Sequence, residues 1–65
     1  MIKIELIEAY KLYPYCEAFQ NGGMVADDSP LRKKSEEIFQ RSLISHMEYI
    51  CSIVYRTIAT RVFLA

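Results

Sequence analysis

This 65-residue sequence contains few of the residues that build metal centres or disulfide frameworks. It has two cysteines, Cys16 and Cys51, which form no Cys-x-x-Cys pair, and one histidine, His46. A structural zinc site needs about four Cys or His ligands, and small secreted domains are usually dense in disulfides. We therefore expect no metal, no cofactor and a cytoplasmic location.

Excess charge is also missing, because eight Lys and Arg residues balance eight Asp and Glu residues. A balanced chain lacks the broad positive field that drives phosphate binding. Its hydrophobic fraction of 52% argues against disorder. The most apolar segment, residues 43–65, is interrupted by His46, Glu48, Arg56 and Arg61, so it does not predict a membrane-spanning helix.

Local signals predict an all-α fold with a single small domain over residues 1–65. Asn21-Gly22-Gly23 is a helix-stop signal, and Asp28-Ser29-Pro30 is a helix-start signal. They predict a short helix over about 3–20, a loop over about 21–29 and a long amphipathic helix over about 30–60, which together form a helical hairpin.

Two details of this hairpin stay open in the sequence. Pro14 lacks a backbone donor, which predicts a kink in the first helix. Residues 1–8 partly alternate apolar and polar side chains, so a short strand is the alternative there. The β-branched run near Tyr55–Thr60 is where the long helix would break if it folded back on itself.

The apolar face of the long helix predicts self-association. At 1.5 Å per residue the long helix would extend about 24 Å beyond the first one, and its apolar side chains would be exposed there. A second copy of the chain would cover them, as a dimeric four-helix bundle or a higher oligomer. The residues expected in this interface are Leu43, Met47, Ile50, Val54 and Ile58.

The hairpin also predicts that the two cysteines lie far apart. Cys16 would lie close to the connecting loop, and Cys51 about 32 Å from it along the long helix. A disulfide requires Cα atoms within about 7 Å. We therefore expect no bond between them within one chain, and we interpret Cys51 as a buried, inert thiol.

Tyrosine is abundant, and three tyrosines surround Pro14. Tyr10, Tyr13 and Tyr15 would form one aromatic patch beside the kink. Tyrosine is favoured at protein interfaces because its ring is apolar and its hydroxyl is polar. The patch is a candidate surface for a partner protein, and the rim of the dimer is the alternative interpretation.

Two further sites offer alternatives to protein binding. Arg32, Lys33 and Lys34 form the only basic cluster and are candidates for phosphate contacts in a nucleic-acid-binding regulator. His46, on the long helix, is a weaker candidate for a phosphoacceptor.

No nucleophile, base and orienting group can be combined into a catalytic set. We therefore expect a non-catalytic, oligomeric helical protein that binds another protein as a regulator, inhibitor or adaptor.

Overall fold

The computed structural model describes the backbone of residues 2–64 and the side chains of residues 2–61. It contains three helices: α1 (Leu6–Gln20), α2 (Pro30–Phe39) and α3 (Ile44–Leu64). The described part of the chain has no strand, so the all-α prediction is confirmed. Residues 2–5 run into α1 as irregular chain, with Ile4 buried and Lys3 and Glu5 exposed.

The end of α1 follows from its glycines. Gly22 has a φ of 83°, in the left-handed region that glycine enters without steric cost. The Gly22 N–H donates to the Phe19 carbonyl (3.2 Å) and the Gly23 N–H donates to the Ala18 carbonyl (2.8 Å). This pair of bonds is a Schellman motif, which satisfies the last carbonyls of the helix. The helix begins at Leu6 rather than near residue 3 and remains one helix through Pro14.

The start of α2 follows from its cap. Ser29 has an extended backbone, and its Oγ accepts a hydrogen bond from the Arg32 N–H (3.3 Å). Pro30 occupies the first turn, where a missing N–H costs nothing. The start signal in the sequence therefore marks the true beginning of this helix.

The expected continuous helix over 30–60 is wrong, because the chain turns between Phe39 and Ile44. Gln40 adopts a left-handed conformation (φ 61°), and its N–H donates to the Glu36 carbonyl (2.8 Å). The buried Ser35 Oγ donates to the Arg41 carbonyl (2.7 Å) across the corner. Residues 55–60, where a break was the alternative, are helical. The fold is thus a three-helix unit rather than a two-helix hairpin.

The corner lets one chain bury its own apolar surface. Helices α1 and α3 run antiparallel and share the most extensive interface, and α2 packs against both. Leu31 of α2 is fully buried against them. The core consists of Ile4, Ala9, Leu12, Cys16, Val25, Leu31, Met47, Ile50, Cys51 and Val54.

This core corrects the expected self-association surface. Met47, Ile50 and Val54 are buried by the helices of their own chain, so they need no second copy to cover them. Ile58 is half-buried against the same core, and Leu43 is exposed at the corner. The extension that called for a dimeric four-helix bundle is absent, because α2 folds back instead of prolonging α3.

Candidate functional site

The outer face of α1, which we define as Ile7, Tyr10 and Pro14, is an exposed apolar surface. At about 100° per residue the three side chains lie within about 60° of one another around the helix axis. Ile7 is 73% exposed and Tyr10 is 52% exposed. The opposite face of the same helix packs into the core through Ala9, Leu12 and Cys16. Helix α1 is therefore apolar on two opposite sides, with only one of them covered.

The three tyrosines around Pro14 do not form one patch. Because α1 continues through Pro14, Tyr15 lies about 140° around the axis from Tyr10 and about 160° from Tyr13. Tyr13 faces α3, where its ring packs edge-on against Tyr55 with centroids 5.7 Å apart. Of the three predicted residues, only Tyr10 belongs to the outer face of α1.

Glu17 joins two tyrosines at the seam between α1 and α3. The Tyr13 hydroxyl donates to Glu17 Oε1 (2.7 Å) and the Tyr55 hydroxyl donates to Glu17 Oε2 (3.3 Å). Burial, followed by the negative charge of Glu17, raises the pKa of Tyr55 to about 12. The hydrogen bond to Glu17 also raises the pKa of Tyr13. Both phenols are held in the neutral, donating form, so this cluster stabilises the helix pair and supplies no base.

The basic cluster is largely engaged within the chain. Arg32 Nε donates to the Val25 carbonyl (2.7 Å), which fastens the loop before α2. Lys34 Nζ lies 2.8 Å from Glu8 Oε2, and this bond to α1 raises the pKa of Lys34. Lys33 alone among the three is exposed. Within the part of the chain that the structure describes, the cluster therefore offers phosphate one uncommitted cation rather than three.

His46 lies at the corner between α2 and α3. Its ring stacks on Phe39 with centroids 4.1 Å apart, and its Nδ1 is 3.2 Å from the Arg41 carbonyl oxygen. The ring therefore closes the corner, which is a structural role different from the predicted phosphoacceptor. Sequence reasoning missed this role because it placed His46 in the middle of a continuous helix.

The two cysteines lie together, which corrects the expected separation. Cys16 of α1 and Cys51 of α3 are both fully buried in the same core cluster. The interaction with the Cys51 thiol, followed by burial, raises the pKa of Cys16. The separation predicted from a straight 30–60 helix fails because that helix turns at Gln40.

A second apolar surface is an open groove of about 480 Å³ between the segment before α1 and the later part of α3. Ile4 and Leu6 face Ile53 across it, and the polar groups at its edges include Lys3 and Arg56. Both charged side chains extend into solvent. The groove therefore has the chemistry of a binding surface rather than of a water-excluding reaction centre.

Comparison of the chain with models of protein families, with curated proteins and with solved structures finds no significant match. Among residues 2–64, no helix combines the length and the apolar composition needed to cross a bilayer. The described residues also contain no group of three or more His, Cys, Asp or Glu side chains placed to hold a metal ion.

Proposed function

We propose that this chain acts by protein–protein binding, without catalysis, and that the outer face of α1 is its binding surface. The observation that supports this proposal is the two-sided apolar character of α1. A helix at the surface of a soluble domain typically presents polar and charged residues on the side away from the core. Ile7 and Tyr10 are nevertheless exposed in the single chain.

The surface fits the general composition of interfaces. Interface centres are depleted in charge and enriched in aromatic residues, above all tyrosine. The centre of the outer face is formed by an isoleucine, a tyrosine and a proline, and the charged Lys11 lies beside it. Pro14 also adds a rigid apolar ring to this face of the helix.

The partner we propose first is a second copy of the chain. With eight bases and eight acids, two copies meet without net electrostatic repulsion. A domain of about 60 residues buries only about 60% of the surface of its unfolded chain, so covering an exposed apolar face contributes strongly to its stability. The dimer would join α1 to α1 around a two-fold axis, the commonest symmetry of homo-oligomers.

This interface differs from the one expected from sequence. It leaves Met47, Ile50 and Val54 in the core of each subunit and uses α1 instead of α3. A dimer of this kind could serve as a regulator, inhibitor or adaptor. The free thiols of the two buried cysteines suit a reducing compartment, so the proposal places the chain in the cytoplasm.

Sedimentation equilibrium on a matched pair of isoleucine variants tests the surface. Ile7 is 73% exposed on α1, and Ile44 is 65% exposed at the start of α3. We expect a wild-type dimer in the micromolar range, a monomer for Ile7→Glu and a dimer for Ile44→Glu. Circular dichroism should show the same helix content for all three, because neither side chain is part of the core.

Two results would contradict the proposal. A wild-type chain that remains monomeric throughout the micromolar range would exclude self-association through any face. A dimer that survives Ile7→Glu but is lost in Ile44→Glu would move the interface to the exposed Leu43–Ile44 corner.

A further inference from the structure

The antiparallel packing of α1 and α3 brings Cys16 and Cys51 into register. On one side of Cys16, the Tyr13 ring contacts the Tyr55 ring, with centroids 5.7 Å apart. On the other side, Phe19 and Met47 line the same hollow. Cys16 is midway between Tyr13 and Phe19, and Cys51 is midway between Met47 and Tyr55. Both ends of the register therefore place the two cysteines opposite each other.

We propose that Cys16 and Cys51 form a reversible thiol–disulfide site, which a small-molecule disulfide of the glutathione type oxidises to an intrachain bond between α1 and α3. Both residues are fully buried and belong to the same core cluster. The cysteine site does not involve the outer face of α1, so a test of one proposal does not decide the other.

The reaction is two successive thiol–disulfide exchanges. The thiolate of one cysteine attacks one sulfur of oxidised glutathione; a mixed disulfide forms, and one glutathione thiolate leaves. The thiolate of the other cysteine then attacks the protein sulfur of the mixed disulfide, the bond between α1 and α3 forms, and the second glutathione thiolate leaves. The two protein thiols lose two electrons and two protons, and one glutathione disulfide becomes two glutathione thiols. Excess reduced glutathione reverses both steps.

The register places the two cysteines opposite each other, so either one can attack first and the other can then resolve the mixed disulfide. Since both thiols are buried at the interface of α1 and α3, glutathione reaches them only when α1 opens from α3.

Oxidation should stabilise the fold. The bond would close a loop of about 35 residues between α1 and α3 and so restrict the unfolded chain. For a domain of this size we expect the melting temperature to rise by roughly 15 °C or more. The dithiol and disulfide forms would then be two states of the same fold with different resistance to unfolding.

The test is to incubate the purified full-length chain in glutathione buffers of increasing oxidised-to-reduced ratio and to map non-reduced peptides by mass spectrometry. We expect a peptide linked through Cys16 and Cys51, with the mass of two hydrogens lost and with the melting temperature raised. Cys16→Ala should trap the mixed disulfide on Cys51. The control is the wild-type chain unfolded in guanidinium and incubated in the same buffers. Oxidation of its thiols shows that the oxidant is active.

Two outcomes would overturn the proposal. In one, the native wild-type chain keeps two alkylatable thiols at every ratio that oxidises the unfolded control. In the other, oxidation links Cys16 or Cys51 only between different chains. Either result would leave the pair as a packing contact. The wild-type peptide map decides the question even if the alanine variant does not fold.

Discussion

Ile50 and Ile7 are the same residue type in opposite surroundings, and truncating each in turn tests the fold within a single chain. Ile50 lies on α3 with no exposed surface, and Ile7 lies on α1 with most of its side chain in water. If α2 and α1 cover Ile50 as described, truncating its side chain must lower the free energy of unfolding. Truncating Ile7 in the monomer must leave the free energy of unfolding almost unchanged.

The magnitude follows from burial. Isoleucine-to-alanine changes in a closed core cost about 2–5 kcal/mol through lost transfer free energy and a residual cavity. A chain of this length has a total stability of about 3–10 kcal/mol, so Ile50→Ala removes about a fifth of it or more. Ile50→Val, at about 0.5–1.5 kcal/mol, gives a graded variant that stays folded. Ile7→Ala should change stability by less than about 0.5 kcal/mol.

Urea unfolding followed by circular dichroism measures these differences at a protein concentration where the wild type is monomeric. The reasoning is refuted if Ile7→Ala is as destabilising as Ile50→Ala, or if Ile50→Ala costs less than about 1 kcal/mol. Either result would mean that Ile50 is not enclosed by its own chain.

Three other measurements test separate features of the fold. Gln40→Gly should stabilise the chain by about 0.5–1 kcal/mol in urea unfolding, because glycine adopts the left-handed conformation of the corner without steric cost. A double-mutant cycle on Lys34 and Glu8 should give a coupling energy of up to about 1 kcal/mol that weakens with added salt. The control cycle on the exposed Lys33 and Glu8 should give no coupling energy. Tyr55 should ionise near pH 12 in an absorbance titration. Because its pKa in the folded chain lies above the ordinary value of 10.0, its contribution to stability is present below pH 10 and is lost as the pH rises from there to about 12. Tyr55→Phe should abolish that loss.

Local signals in the sequence account for the helical class and for two of the helix ends. Gly22 ends α1 because a residue without a Cβ enters the left-handed region at low cost. A Cβ at Gly23 would lie 2.9 Å from the Ala18 carbonyl oxygen, so glycine also fits the position that follows. Ser29 and Pro30 begin α2 because a hydroxyl can cap an exposed N–H and proline needs none. These are effects of a few neighbouring atoms, so a pattern of residues predicts them.

Local signals in the sequence do not predict the turn after α2. Gln40 is an ordinary helix former and no glycine or proline marks the corner. The chain turns there because folding α2 back buries Leu31 and lets the Ser35 hydroxyl reach the Arg41 carbonyl. The burial of Leu31 depends on residues of α1 and α3 that are distant from the turn. Together with the Ser35 bond it outweighs the cost of a left-handed glutamine.

The sequence by itself therefore determined the helical class, the first loop and the apolar positions of α3. Only the tertiary structure decided which helices cover those positions and which residues of different helices pack together. Once the chain turns at Gln40, Ile50 and Val54 belong to the core of a single chain, and Cys16 meets Cys51. The physical reason is that apolar burial is non-directional and favours any arrangement that removes the same area from water. The choice between a second copy and a folded-back helix depends on packing among distant residues, which no local pattern encodes.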